Sequence, residues 1–136
     1  MDTKTDIATS NCFSYDAFER TCASHTVLET LSSKWVYLAV CALRSGQKRH
    51  GELARQLGGI SPKMLAQTLR ELERDGIVSR KAHAVIPPRV DYALTPLGEN
   101  LGQLLQQIRL WSEGHVPEIL KARESYSARQ DEAAVF

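Results

Sequence analysis

Long apolar runs are missing from this chain of 136 residues. None approaches the ~18 residues needed to cross a bilayer. The opening stretch MDTKTDIATSN is polar and lacks the apolar segment of a secretory leader. A cytoplasmic protein without a membrane partner is therefore expected. Cysteine is scarce too: Cys12, Cys22 and Cys41 include no C-x-x-C pair, and an odd count of three points to free thiols rather than a disulfide framework. The four histidines (His25, His50, His83 and His115) are too scattered for a pattern such as H-E-x-x-H, so no metal is expected. No paired carboxylates, nucleophile beside a base, or phosphate loop can be read from the chain. An enzyme is not expected, and no cofactor is assigned.

Net charge is almost absent as well, at +1, but its distribution is uneven. Residues 34–90 hold eleven Lys and Arg against four acidic residues, a net of +7. The flanks 1–33 and 91–136 are each at −3. A local cluster of cations, not a high overall charge, is what phosphate binding requires. A basic block also suits a merely solvated surface, so the pattern around it has to decide.

That pattern begins after a polar arm at 1–12, with a short helical turn expected over 13–20. Val27, Leu28 and Leu31 suggest a helix through Ser32. Ser32-Ser33 offers a cap for a second helix in which Trp35, Leu38, Ala39 and Ala42 recur at helical steps. Leu53, Ala54 and Leu57 mark a short helix, and Gly58-Gly59 permits a tight turn. Ser61-Pro62 then reads as an N-cap followed by proline at the first helical position. Leu65, Leu69 and Leu72 form the inward stripe, Ile60 can staple onto Leu65, and Gly76 ends the helix. Strands are expected over 77–84 and 89–94, joined through Val85-Ile86-Pro87-Pro88 as a hairpin with an extended tip. Thr95-Pro96 repeats the capping signal. Leu97, Leu101, Leu104, Ile108 and Trp111 follow at steps of 4, 3, 4 and 3, the spacing of a helix–helix seam. Gly114 and Pro117 are expected to interrupt this helix, and the tail 128–136 to fray.

Helix, glycine turn, capped helix and hairpin, in that order, make a winged helix-turn-helix. At ~100° per residue, the face of the 62–75 helix opposite its leucines carries Lys63, Gln67, Arg70 and Arg74, flanked by Met64 and Glu71, with Ser61 at the cap. Residues early in such a helix reach base edges: Lys63 can donate to guanine, and Gln67 can pair with adenine. Arg70 and Arg74 lie further along, where phosphate contact is favoured. Lys48 and Arg49 before the first helix of the pair, and His83 and Arg89 flanking the wing, are candidates for phosphate or minor-groove contact. The alternatives are a solvated amphipathic helix and a winged-helix interaction module that binds no DNA.

Three stretches carry a resemblance: C-A-S-H-T-V-L-E-T-L-S-S-K-W (22–35), G-E-L-A-R-Q-L-G-G-I-S-P-K-M-L-A-Q-T-L-R-E-L-E-R-D-G-I-V-S-R (51–80) and V-I-P-P-R-V-D-Y-A-L-T-P-L-G (85–98). Over roughly residues 22–112 the chain resembles the HxlR-type family, relatives of the MarR regulators. The resemblance implies a fold that is mainly α with a small β-hairpin (α+β): a winged helix-turn-helix with N- and C-terminal dimerisation helices. It implies one domain over 13–127, with a DNA-binding core at 34–95 and dimerisation helices at 13–32 and 96–127. It also implies a bacterial or archaeal homodimer that binds double-stranded operator DNA as a repressor or activator, in many members in response to quinones, aldehydes, hypochlorite or other electrophiles. Two departures stand out. His50 occupies a position that is usually aromatic, and Ala23 one where proline is common.

Cys22 stands thirteen residues before Trp35, where the family's N-terminal cysteine sits and where several members sense oxidants. A nearby helix start favours the reactive thiolate there, with Arg20 and His25 close in sequence. Its two readings, thiol sensor and half-buried structural cysteine, both stay open, as does pairing with Cys12 or Cys41. Cys41, within V-A-V-C-A-L, reads as core. Regulation by a small-molecule ligand instead of a thiol is the further alternative.

Overall fold

The computed structural model describes residues 15–135. Helix α1 (Ala23–Leu31) is followed by α2 (Lys34–Leu43), strand β1 (Lys48–Arg49), α3 (His50–Gln56), α4 (Pro62–Arg74), β2 (Val78–His83), β3 (Arg89–Leu94) and a long α5 (Pro96–Val135). The strands form one antiparallel sheet in the order β1-β3-β2. This is a winged helix-turn-helix, mainly helical with a small sheet.

The core is built from one face of each element: Val36, Ala39, Val40 and Leu43 of α2, Leu53 and Leu57 around α3, and Leu65, Leu69 and Leu72 of α4 are buried. Val78 and Tyr92 close it from the sheet, and Leu105 from α5. Of the stripe expected in α2, Ala39 and Ala42 are buried, whereas Trp35 and Leu38 are only partly so and Val36, Val40 and Leu43 complete the buried face.

Helix α4 owes its limits to local chemistry. The Ser61 hydroxyl accepts from the Met64 N–H at 3.1 Å, Pro62 opens the first turn, and Gly59 before them takes φ +89°. At the other end the Ile77 N–H bonds back to Leu72 O at 2.9 Å and the Gly76 N–H to Glu73 O at 3.1 Å, with Gly76 at φ +75°. That pair of bonds is a Schellman ending. Its left-handed residue is glycine for want of a Cβ clash, and the buried Leu72 and Ile77 supply the apolar contact.

The start of α5 is fixed against this ending. Thr95 donates its N–H to Ile77 O at 3.0 Å, and its hydroxyl accepts from the Gly98 N–H at 3.1 Å. Gly98 lies flat on the Ile77 carbonyl: a Cβ built there would stand 2.1 Å from that oxygen.

Four expectations need correction. The described part of 13–20 holds turns rather than a helical segment. Lys48-Arg49, read only as a basic pair, is a third strand. Helix α5 passes through Gly114 and Pro117 without ending. A single interior proline costs about 3 kcal/mol and one hydrogen bond, and the Leu, Gln, Glu and Arg before it and the Ala, Glu, Lys and Arg after it favour helix strongly enough to carry it through. For the same reason the tail expected to fray is helical through Val135. The arm at 1–12 lies outside the described residues.

Candidate nucleic-acid interface

The expected reader face exists as a surface. Lys63, Gln67, Arg70 and Arg74 are all exposed on α4, opposite the buried Leu65, Leu69 and Leu72, and Ser61 and Met64 are exposed at its start. Two of the polar groups already have partners on the helix. The Gln67 side-chain amide donates to Glu71 at 3.2 Å, and Arg74 grips Asp75 with two bonds at 2.9 and 3.2 Å. The Asp75 carboxylate holds the Arg74 guanidinium firmly in its charged form. Lys63 and Arg70, early and midway along the helix, make no hydrogen bond or ion pair among the described residues.

The wing is organised differently from its sequence reading. Its tip, residues 84–88, is exposed and uncharged. The two flanking residues turn inward to one carboxylate. His83 Nε2 lies 2.9 Å from Asp91 Oδ2, Arg89 Nε lies 3.5 Å from Asp91 Oδ1, and Gln47 Nε2 donates to Asp91 Oδ2 at 3.4 Å. A carboxylate only accepts, so the imidazole carries its proton on Nε2. Asp91 is 6% exposed. Register sets the rest: Asp91 faces Arg49 across β1 and Lys81 across β2, while His83 faces Arg89. Opposite residues share a face of the sheet, so Arg49, Lys81, His83 and Arg89 surround Asp91. Lys48 pairs with Tyr92 and belongs to the other face. The reading of single residues missed Lys81 and Asp91. The five-residue tip between His83 and Arg89 was the signal that could have paired them. His50, the departure from the family pattern, lies with its ring 6.4 Å from that of Tyr92 at the start of α3.

Cys22 is the N-cap residue of α1 and is half-buried. Its sulfur accepts from the Ser24 hydroxyl at 3.2 Å and from the Asp16 N–H at 3.3 Å. These bonds, the Ser24 hydroxyl first, favour the thiolate and hold the Cys22 thiol below its ordinary value. His25, expected near it, instead points Nδ1 at Ala17 O, 2.7 Å away. Burial pushes the Cys41 thiol up. Cys12 lies outside the described residues. Since only the thiolate attacks, alkylation of Cys22 by iodoacetamide should reach half its maximal rate at lower pH than that of Cys41. Ser24→Ala should move the Cys22 midpoint upward. Peptide mass analysis across a pH series separates the two thiols, and coincident midpoints would show that the bonds to Cys22 do not govern its reactivity.

The heptad residues of α5 are displaced from the core. Leu97, Leu104, Ile108 and Trp111 are 51–58% exposed, and Leu101 is partly buried. The core instead receives Gly98, Gly102 and Leu105, roughly a quarter-turn round the helix. On α1, Val27 and Leu28 are likewise exposed and form an apolar groove with Tyr15, Ala23 and Leu31.

Comparison with known proteins agrees with this architecture. A model of the HxlR-like helix-turn-helix family matches residues 30–119. The HTH-type transcriptional regulator YtfH of Escherichia coli is 43% identical over 111 residues, covering 82% of this chain and 88% of that one. The solved structure of the transcriptional regulator ytfH from Salmonella typhimurium superposes with a TM-score of 0.78 at 42% identity, over 81% of this chain and 98% of that one. The redox regulator HypR in its oxidized form superposes at 0.63 with 35% identity, over 68% and 96% respectively. The regulators are not enzymes, and no helix among the described residues is long and apolar enough to cross a membrane. With its family match, its relatives and its winged fold in agreement, the chain belongs to the HxlR-like helix-turn-helix family of transcriptional regulators.

Proposed function

We propose that this chain is a sequence-specific repressor or activator that binds double-stranded operator DNA as a homodimer, with α4 in the major groove and the wing on the neighbouring backbone. The observation that carries the proposal is the outward face of α4. It is capped and rigid at its start, free of apolar burial, and lined by Lys63, Gln67 and Arg70. The exposed Leu97, Leu104, Ile108 and Trp111, with the partly buried Leu101 among them, and the apolar groove on α1 support the dimer. Such contiguous apolar surface is costly in a monomer. Two α4 helices so joined would read half-sites about one helical turn apart.

The same reading makes Cys22 the sensor of an oxidant or electrophile. Its support is the thiolate-favouring hydrogen bonds and the likeness to HypR, a redox regulator. Such a reagent would act by modifying the α1 cap, beside the groove that the dimer is proposed to use.

An operator selected from a random duplex pool tests the reader helix. On it, Gln67→Ala should cost ~1–3 kcal/mol of binding while barely changing affinity for random duplex. Arg74→Ala should weaken both alike and less, because Asp75 already engages its guanidinium. Fluorescence anisotropy at fixed salt measures both. Parent-like affinity in the two variants would remove α4 from the role of reader.

A further inference from the structure

Asp91 is a buried carboxylate with cations and donors around it on one face of the small sheet. From β1 it faces Arg49 and, just before that strand, Gln47, from β2 Lys81 and His83, and from its own strand Arg89. From α3, Glu52 borders the recess that Arg49, Arg89 and Asp91 line. Neighbouring positions across a sheet stand about 5 Å apart, close enough for like charges to repel and splay. A carboxylate among them offsets that repulsion, and it fixes the direction of His83 and Gln47, which hydrogen-bond to it. Arg89 is held at longer range than His83 and Gln47, by charge rather than by a hydrogen bond. Its Nε is buried and makes no hydrogen bond, yet lies 3.5 Å from Asp91 Oδ1, while its side chain as a whole remains 37% exposed. The guanidinium is thus held from its inner edge, with its outer donors left toward solvent.

We propose that Asp91 is a positioning residue for DNA binding, acting through Arg89 to present the basic outer face of the wing to phosphate. This rests on the DNA-binding reading above. It predicts a sign that simple charge counting does not. Removing a negative charge some 10 Å from phosphate should strengthen binding by about twofold at most in physiological salt. Loss of an ordered guanidinium contact should weaken it by about five- to tenfold. The second effect is the larger, so D91N, although it makes the protein more positive, should bind worse.

The test uses a fluorescein-labelled random 25-base-pair duplex, the full-length chain and variants checked for fold by circular dichroism. The expected result is that D91N loses about fivefold in affinity, that R89A loses a similar factor, and that the double variant loses no more than R89A alone. R89K keeps the charge but lacks the Nε held by Asp91, and should fall near R89A; it carries the test if D91N does not fold. Parent-like or tighter binding by folded D91N, a full further loss on adding D91N to R89A, or parent-like binding by R89K would each overturn the proposal while leaving DNA binding intact. No duplex binding by the parent at low salt would overturn the DNA-binding reading and this one with it.

Discussion

Changing Leu104 and Ile108 together to glutamate is expected to turn a homodimer into folded monomers and to lower operator affinity by a factor of about 100 or more. Both side chains are more than half exposed and contribute nothing to the buried core, so the fold of each chain should survive. They are also central in the proposed seam, one turn apart on the face that carries Leu97, Leu101 and Trp111. Four carboxylates meeting there, two from each chain, would bring like charges into an apolar contact, which dissociates rather than adapts. Affinity falls for a separate reason. Two recognition helices on one rigid dimer make the second contact intramolecular, an advantage of about 10²–10⁴ that a monomer forfeits. Sedimentation velocity gives the mass, circular dichroism the fold, and anisotropy on the selected operator the affinity. A double variant that remains dimeric places the seam elsewhere. One that is monomeric yet binds as before removes the dimer from the recognition mechanism.

Parts of the molecule were legible in the sequence wherever a local cause sets the structure. Ser61, Pro62, the leucine stripe and Gly76 define α4 without reference to anything distant, because capping, fixed φ and the freedom of glycine act within one turn. The start of helix α5 was legible for the same reason, although Gly114 and Pro117 were given more weight than a strongly helical context allows. Elements defined by pairing were not legible. Two residues, Lys48 and Arg49, have no strand signature of their own; they are a strand only because β3 lies beside them. The Asp91 cluster was hidden likewise. It depends on which residue of β2 stands across from which residue of β3, and a basic residue near a wing reads as a phosphate ligand until the carboxylate that holds it is located. Cys22 was partly legible: its place at a helix start could be read, but the Ser24 and Asp16 donors belong to a turn that could not.

Gly98 is the sharpest instance, visible in T-P-L-G as a letter without a reason. Gly98→Ala should destabilise the protein by about 3 kcal/mol, although alanine is the better helix former by nearly 1 kcal/mol. The balance is decided by the carbonyl of Ile77. A methyl group at 2.1 Å from its oxygen cannot be accommodated by rotating a side chain, since both the methyl and the oxygen are fixed to backbone. Helix α5 must therefore move by about 1 Å to reach ordinary contact distance. That shift strains the bonds from Thr95 to Ile77 and lifts Leu105 from the core. It also disturbs the point at which the proposed dimer helix is anchored to the end of the proposed reader helix, through Ile77 and the Schellman bonds to Leu72. The substitution should thus lower Tm by roughly 10 °C. In the surviving folded fraction it should also weaken operator binding without any change on the DNA-facing surface. Gly102→Ala is the control, one turn on, where the added methyl meets only the flexible Arg44 side chain at 3.1 Å. There the helical preference of alanine should prevail, leaving Tm unchanged or slightly raised. A Gly98→Ala protein that melts with the parent would mean that the Ile77 carbonyl yields freely. The contact between α5 and the end of α4 would then not be the rigid link on which coupling between dimer and reader depends.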